Sequence, residues 1–487
     1  MERKDTRSLL ERLREHRDGG RLSLHMPGHK ENTGLAPYLE ALSAGLDITE
    51  LPGFDDLHAP EGVLELGMEK AAALWGSGRS LFQVNGSSGG LLAAIRGSTR
   101  RGDRVLVARN CHKAVYHGLE LCSLEPVYLL PPVEETFGLA GSVTPAQVRR
   151  ALEETPDVKL VIYPSPTYDG VVSDTAGICA VAHEKGIPVL VDEAHGAHFG
   201  LSPAFPLNAV RLGADLAVAS LHKTLPSLTQ TALLHVGGGL ISRREVERQA
   251  GIFQSSSPSY LLMASMDGCV RLLEERGEAL FSDWVRRLEA FDRLAAGLKH
   301  LRLMGHGREK GAAYPGVFAL DPAKIVISTR DSALTGVELK ELLERNYGID
   351  LEMALDTYAV AMTGLGTDDA MPERLARALL ELDERFGPAK ETGGRTETET
   401  TLPPRRMGLE EAARSAGEPV PLAEAVGRVS GEYVWAYPPG IPLITPGEEV
   451  TGRLAETLER LSRAGVKLVG TRGAPPFTMA ALEERRV

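Results

Sequence analysis

PVLVDEAH at residues 188–195 and LAVASLHK at residues 216–223 share one construction: a short apolar run, then an abrupt change to acidic, basic and hydroxyl side chains. The same pattern recurs at 81–84, 105–108, 127–130, 160–163, 189–191, 216–219 and 232–236, with polar or Gly-rich turns and helix-like stretches between the runs. Short continuous apolar runs alternating with helices predict βα units in a mostly parallel sheet, hence an α/β fold. In such sheets ligands bind beyond the carboxyl ends of the strands. Those ends read NGSSGG after Val84, RNCHK after Ala108, PSPTYDG after Tyr163, DEAHGAH after Val191 and SLHK after Ala219, so five strand ends are expected to converge on one polar site.

Lys223 stands just past a strand, preceded by Ser220 and His222, whose side chains could hold a phosphate. That placement suits a Schiff-base lysine, although S-x-H-K taken alone reads far more often as an ordinary surface lysine. Asp192 ends the preceding strand one βαβ step earlier. A carboxylate there can pair with a protonated pyridine nitrogen and keep the ring cationic, which is the electron sink of pyridoxal-phosphate chemistry. Taken singly, Asp192 could be a helix cap. NGSSGG adds small residues and backbone N–H groups at a strand-to-helix turn, a place that favours phosphate, though a Gly-rich turn can be only a turn. His112 follows the next strand, where its ring could stack on a cofactor or be a satisfied polar residue.

Composition narrows the function classes. The chain has 487 residues, 43% hydrophobic and 25% charged, enough for a large domain plus smaller units. A net charge of −12 leaves no basic field for nucleic acid. The charged opening MERKDTRSLLERLREHRDGGR and the lack of an apolar run near ~20 residues point to a cytoplasmic protein with no membrane partner. Cys111, Cys122, Cys179 and Cys269 are widely spaced, so neither a metal site nor a disulfide framework is expected. There is no G-x-G-x-x-G fingerprint and no P-loop. The organisation expected is an arm over 1–55, a large domain over 56–275, a small α+β domain over 276–386 with a long amphipathic helix at 272–298, a linker over 387–406 and a C-terminal domain over 407–487.

VASLHKTLPSLTQTA, residues 218–232, resembles the lysine-attachment motif of the ornithine/lysine/arginine decarboxylases, S-x-H-K followed by small residues and T-Q. Ser220, His222, Lys223, Thr229 and Gln230 match, and Pro226 stands where a small residue is usual. HMPGHK (25–30), DDLHAPEG (55–62), NGSSG (85–89), RNCHK (109–113), VDEAHGAHF (191–199), SSPSYLLMAS (256–265) and YPPGIPLITPGE (437–448) resemble the same family in order along the chain. The resemblance is to the short members, since HMPGHK at residue 25 leaves no room for an N-terminal wing domain.

That resemblance implies a fold type I, aspartate-aminotransferase-like enzyme binding pyridoxal 5'-phosphate through Lys223, with Asp192 on the ring nitrogen and His112 on the ring face. It places Ser87, Ser88, Ser220 and His222 on the phosphate, with Ser87 where Thr is common, and puts His195 beside the cofactor. Ser256 would reach a neighbouring subunit's site, which implies a homodimer or an assembly of dimers. The substrate would be a basic amino acid, arginine before lysine or ornithine, decarboxylated to its amine for polyamine synthesis. Lys223, His195 or His198 would supply the proton to Cα. Glu448 is the candidate for the substrate's distal cation, with Glu449 and Glu352 next; alternatively Glu448 caps a helix beginning near Glu449. Another reaction on the same fold, or a silent cofactor-binding paralogue, are the rival readings.

Overall fold

The computed structural model describes residues 7–19, 26–27, 29–35, 37–389, 401–436 and 440–482. His25 and Gly28 of HMPGHK, residues 437–439 of YPPG and residues 390–400 of the expected linker lie outside the described residues. Contacts group the chain into two units, residues 1–98 with 188–282 and residues 99–187 with 283–487.

In the first unit, four strands run in the order Arg79–Gln83, Ala232–Val236, Leu216–Ala219 and Val189–Asp192. The last two are parallel, with Val191 opposite Ala217 and Asp192 opposite Val218; the other two pairings are antiparallel. Every residue of the four strands is buried, which is why they read as continuous apolar runs rather than alternating ones. The helix Gly86–Ser98 follows the first strand. Its glycines let it lie close to its neighbours: a Cβ at Gly90 would come within 2.9 Å of Val218 Cγ1, and one at Gly97 within 3.0 Å of Val246 Cα in the helix Arg243–Phe253. The buried Trp75 donates its indole N–H to the Ala197 carbonyl at 2.9 Å, which fastens the turn that follows Asp192. The long helix is Tyr260–Ala295, and the boundary expected at 275/276 falls inside it.

In the second unit, Arg104–Ala108 runs parallel between Val158–Pro164 and Glu125–Leu129, with Val107 opposite both Ile162 and Tyr128. A four-stranded antiparallel sheet follows, in the order Arg302–Leu303, Lys324–Ser328, Tyr358–Met362 and Met353–Ala354. Leu375, Leu379 and Leu382 of the amphipathic helix Met371–Phe386 share its core with Ile325 and Ile327. Beyond residue 401, Val434–Ala436 pairs with Ile441–Ile444 and Leu468–Gly470, and Gly417–Pro421 pairs with Thr478–Leu482. Val434, Ile444, Leu454, Leu458 and Met479 form a core of their own there, with the helix Gly452–Arg463 supplying the two leucines. This is a smaller α+β region. Among the described residues no helix is long and apolar enough to cross a membrane, and no cluster of potential metal ligands occurs.

Candidate active site

Three of the five polar strand ends, NGSSGG, DEAHGAH and SLHK, belong to the first unit. Asp192 is the last residue of its strand, and Ser220 opens the short helix Leu221–Thr224 that carries Lys223. The parallel register sets these two strand ends side by side. Lys223 Nζ lies 2.8 Å from His195 Nε2, so the turn after Asp192 delivers a ring nitrogen to the lysine. Asp192 is 5% exposed and accepts from the Ala194 amide at 3.2 Å. Burial pushes its carboxyl up, while the Lys223 cation and that amide pull it back. Such a buried carboxylate fits a pyridinium N–H.

The helix after the first strand could hold a phosphate. Ser87 and Ser88 lie in the first turn of a 13-residue helix, where backbone N–H groups lack intrahelical partners and the dipole favours an anion. Gln230 holds that turn: its carbonyl accepts from Gly86 N at 2.9 Å and its side-chain amide donates to Val84 O at 2.7 Å. Gln230 adopts φ 82°, costly for a residue with a Cβ, and the two bonds account for its retention there. Ser220 Oγ is fully buried and finds no hydrogen-bond partner among the described residues. His222 donates through Nδ1 to the Thr231 carbonyl at 2.9 Å, and burial lowers its pKa. An orphaned hydroxyl beside a helix N-terminus, a lysine and a buried carboxylate is a set that pyridoxal phosphate fits.

The two histidines of DEAHGAH separate. His195 reaches Lys223, whereas His198 is sealed from solvent, lies 3.2 Å from the Thr224 hydroxyl and meets Phe199 and Phe205 edge-on. Ser256 is exposed on the segment between Arg243–Phe253 and Tyr260–Ala295.

His112 and Glu448 belong to the second unit. His112 caps the helix Lys113–Leu121, its Nδ1 accepting from the Ala114 amide at 3.2 Å, so its ring is pinned by its own backbone. Glu448 is 1% exposed, and its Oε2 accepts from Arg109 at 2.9 Å and from the Thr445 amide at 2.7 Å. It does not cap a helix: the helix begins at Gly452, with Thr451 as its cap. Glu449 pairs with Arg406, and Glu352 accepts from the Tyr168 hydroxyl. Sequence reading gave Arg109 and Gln230 no role of their own. An arginine directly after a buried apolar strand signals a buried counter-charge without saying which residue supplies it.

Comparisons with known proteins agree along the chain. Residues 8–362 match the family described as Orn/Lys/Arg decarboxylase, major domain, and residues 395–470 match its C-terminal domain. The chain is 31% identical over 478 residues to an arginine decarboxylase of Bacillus anthracis, covering 97% of this chain and 96% of that protein. It is 36% identical over 465 residues to a Bacillus subtilis protein described as uncharacterized, covering 93% and 94%. A crystal structure of a Francisella novicida lysine decarboxylase superposes with a TM-score of 0.81 at 18% identity, covering 98% of this chain and 81% of that one. The likeness places the fold among the fold type I pyridoxal-phosphate enzymes.

Proposed function

This chain belongs to the Orn/Lys/Arg decarboxylase family, and from that premise we propose that it removes the Cα carboxylate of arginine, with pyridoxal 5'-phosphate held on Lys223. That it is an amino-acid decarboxylase follows from the family. The cofactor, the choice of arginine over lysine and ornithine, a cytoplasmic polyamine-forming role and a homodimeric state are the proposal. One observation carries it: Lys223 Nζ sits 2.8 Å from His195 Nε2, one strand away from the buried carboxylate of Asp192.

Bound there, pyridoxal phosphate supplies an electron sink for the pair left at Cα when CO2 departs. The chain's own groups do the rest. Asp192 accepts from the ring nitrogen and keeps it protonated. Ser87, Ser88, Ser220 and His222 bind the phosphate and fix the ring's orientation. Lys223 gives up its proton to His195, which makes the amine nucleophilic, and the same pair returns a proton to Cα. His112 is assigned to the ring face on the family resemblance alone. The arginine preference rests on the Bacillus anthracis relative, an arginine decarboxylase matching nearly the whole chain.

The test is release of carboxyl-labelled CO2 from arginine, lysine and ornithine measured side by side, with and without an oxo-acid acceptor. Arginine is expected to give the highest kcat/KM without need of the acceptor. Release from none of the three, or amino transfer in place of CO2, overturns the reading.

A further inference from the structure

The second unit contains a cavity of about 230 Å3 whose lining includes none of the residues assigned above to the cofactor. Its walls are largely apolar, with Leu130, Leu139, Leu443 and Leu461 among them. Its polar groups are unequal. Arg109 contributes a cation, but that charge is already matched: the guanidinium donates to Glu448, to the Tyr116 hydroxyl at 3.1 Å and to the Leu443 carbonyl at 3.3 Å. Asp169 accepts from the Tyr358 hydroxyl at 3.0 Å to Oδ1 and from its own backbone amide. The buried Lys324 ammonium lies 3.6 Å from Asp321 and shares its charge with Glu352 and Asp169, so one cation serves three carboxylates. Asp356 adds a second carboxylate to the lining, and the buried Asn110 Oδ1 finds no donor among the described residues. What the lining offers a ligand is therefore acceptors and negative charge together with methylene-compatible walls.

We propose that this cavity is a second ligand site and that it takes an alkyl amine or alkylguanidine without a carboxylate. A cation with an apolar stem satisfies Asp169 and Asn110 and covers the leucines. An amino acid is disfavoured, because its carboxylate would meet Asp169 and Asp356 and would find Arg109 already neutralised. An anion is disfavoured for the same reason. Burial holds the Asp169 carboxyl up at about 6, a cost that a bound cation relieves. The ligand class contains the product of the decarboxylation proposed above. Only the naming of product amine as the occupant rests on that reading, and it makes the site a feedback site.

The experiment uses holoenzyme whose cofactor has been fixed on Lys223 by borohydride, so that a probe cannot exchange into that link. Agmatine, cadaverine and arginine are titrated calorimetrically. One amine per chain is expected, with arginine weaker by about tenfold or more. Asp169→Asn, which keeps an acceptor for Tyr358, should weaken amine binding by at least about tenfold, and Leu139→Trp, which fills the cavity, should abolish it with far-UV circular dichroism unchanged. Amine should also raise the Tm of the wild-type chain and leave that of Asp169→Asn unmoved. Equal binding of arginine, binding indifferent to both substitutions, or no binding overturns the site. Active CO2 release with no amine bound to the fixed enzyme removes the site and leaves the decarboxylase; amine binding with no CO2 release does the reverse.

Discussion

Arg109 Nη2 donates to Glu448 Oε2 across 2.9 Å, with side chains 8% and 1% exposed, and this pair ties the RNCHK turn to the C-terminal PGEE segment. The guanidinium also lies over the Tyr128 ring at 5.1 Å. A contact between Glu448 and a substrate cation would require giving up one of these charge-assisted bonds. Glu448→Gln leaves the buried guanidinium without its counter-charge, so unfolding free energy should fall by about 3–5 kcal/mol. The double variant Arg109→Met/Glu448→Leu should lose less than the sum of its parts. Denaturant titration measures both. A drop in kcat/KM with stability intact would instead put Glu448 on the substrate.

Lys223 and His195 form the other decisive pair. Borohydride fixation followed by peptide mapping should label Lys223, and Lys223→Ala should lose both the label and nearly all turnover. His195→Phe should keep the label and lower kcat by about 10²-fold, the usual worth of a positioned acid or base. A label on another lysine ends the assignment.

Asp192 is held between burial, which favours its neutral form, and Lys223, which favours the charged one. Asp192→Asn should retain cofactor absorbance, because the phosphate contacts are untouched, yet lose several orders of magnitude in kcat as the ring nitrogen loses its anionic partner. Turnover near the wild-type rate would mean that another group protonates the ring.

All seven apolar runs are strands in the structure, each within about two residues of its expected bounds. Their legibility came from burial, complete in four of them, which leaves few polar residues to blur the pattern. Direction was less legible: the first and last of them pair antiparallel, and nothing in a fully buried strand of five residues encodes the sense of its neighbour. Lys223, Asp192 and the serine turn were read as site candidates because each lies within four residues after a run. His198 illustrates the converse, since a histidine three residues from His195 looks equivalent in sequence and is separated only by which side of the turn it faces. The bond from Arg109 to Glu448 was not legible, because it joins residues 339 positions apart, a separation no local pattern carries.

Ser256 is exposed on its loop, and Leu228 and Ile252 of the same unit are 52% and 58% exposed. Apolar side chains left open around a site of this kind are expected to be covered by a second copy across a two-fold interface. Sedimentation velocity at assay concentration should give a dimer or a multiple of it. A fully active monomer would remove Ser256 from any neighbour's site.

Asp169 gives the last expectation, in stability against pH. Its carboxyl titrates at about 6 in the folded chain, against 3.8 for the ordinary side chain, with desolvation the leading cause and Tyr358 and Lys324 opposing it. Because the folded value is the higher one, the folded state binds the extra proton between those two pH values, so stability from this group is present below about 4 and is lost as pH rises through about 6. Asp356 and Arg109 share its cavity, but Arg109 stays charged across this range and is matched by Glu448. Asp169→Asn should therefore be more stable than wild type at pH 7.5, by no more than about 3 kcal/mol, and the two should converge near pH 4. Thermal unfolding at pH 4, 6 and 7.5 reads the difference. A variant that is less stable than wild type at pH 7.5 would show that the ionised carboxylate is stabilised by its surroundings, and Asp169 would then have no unmet charge to offer an amine.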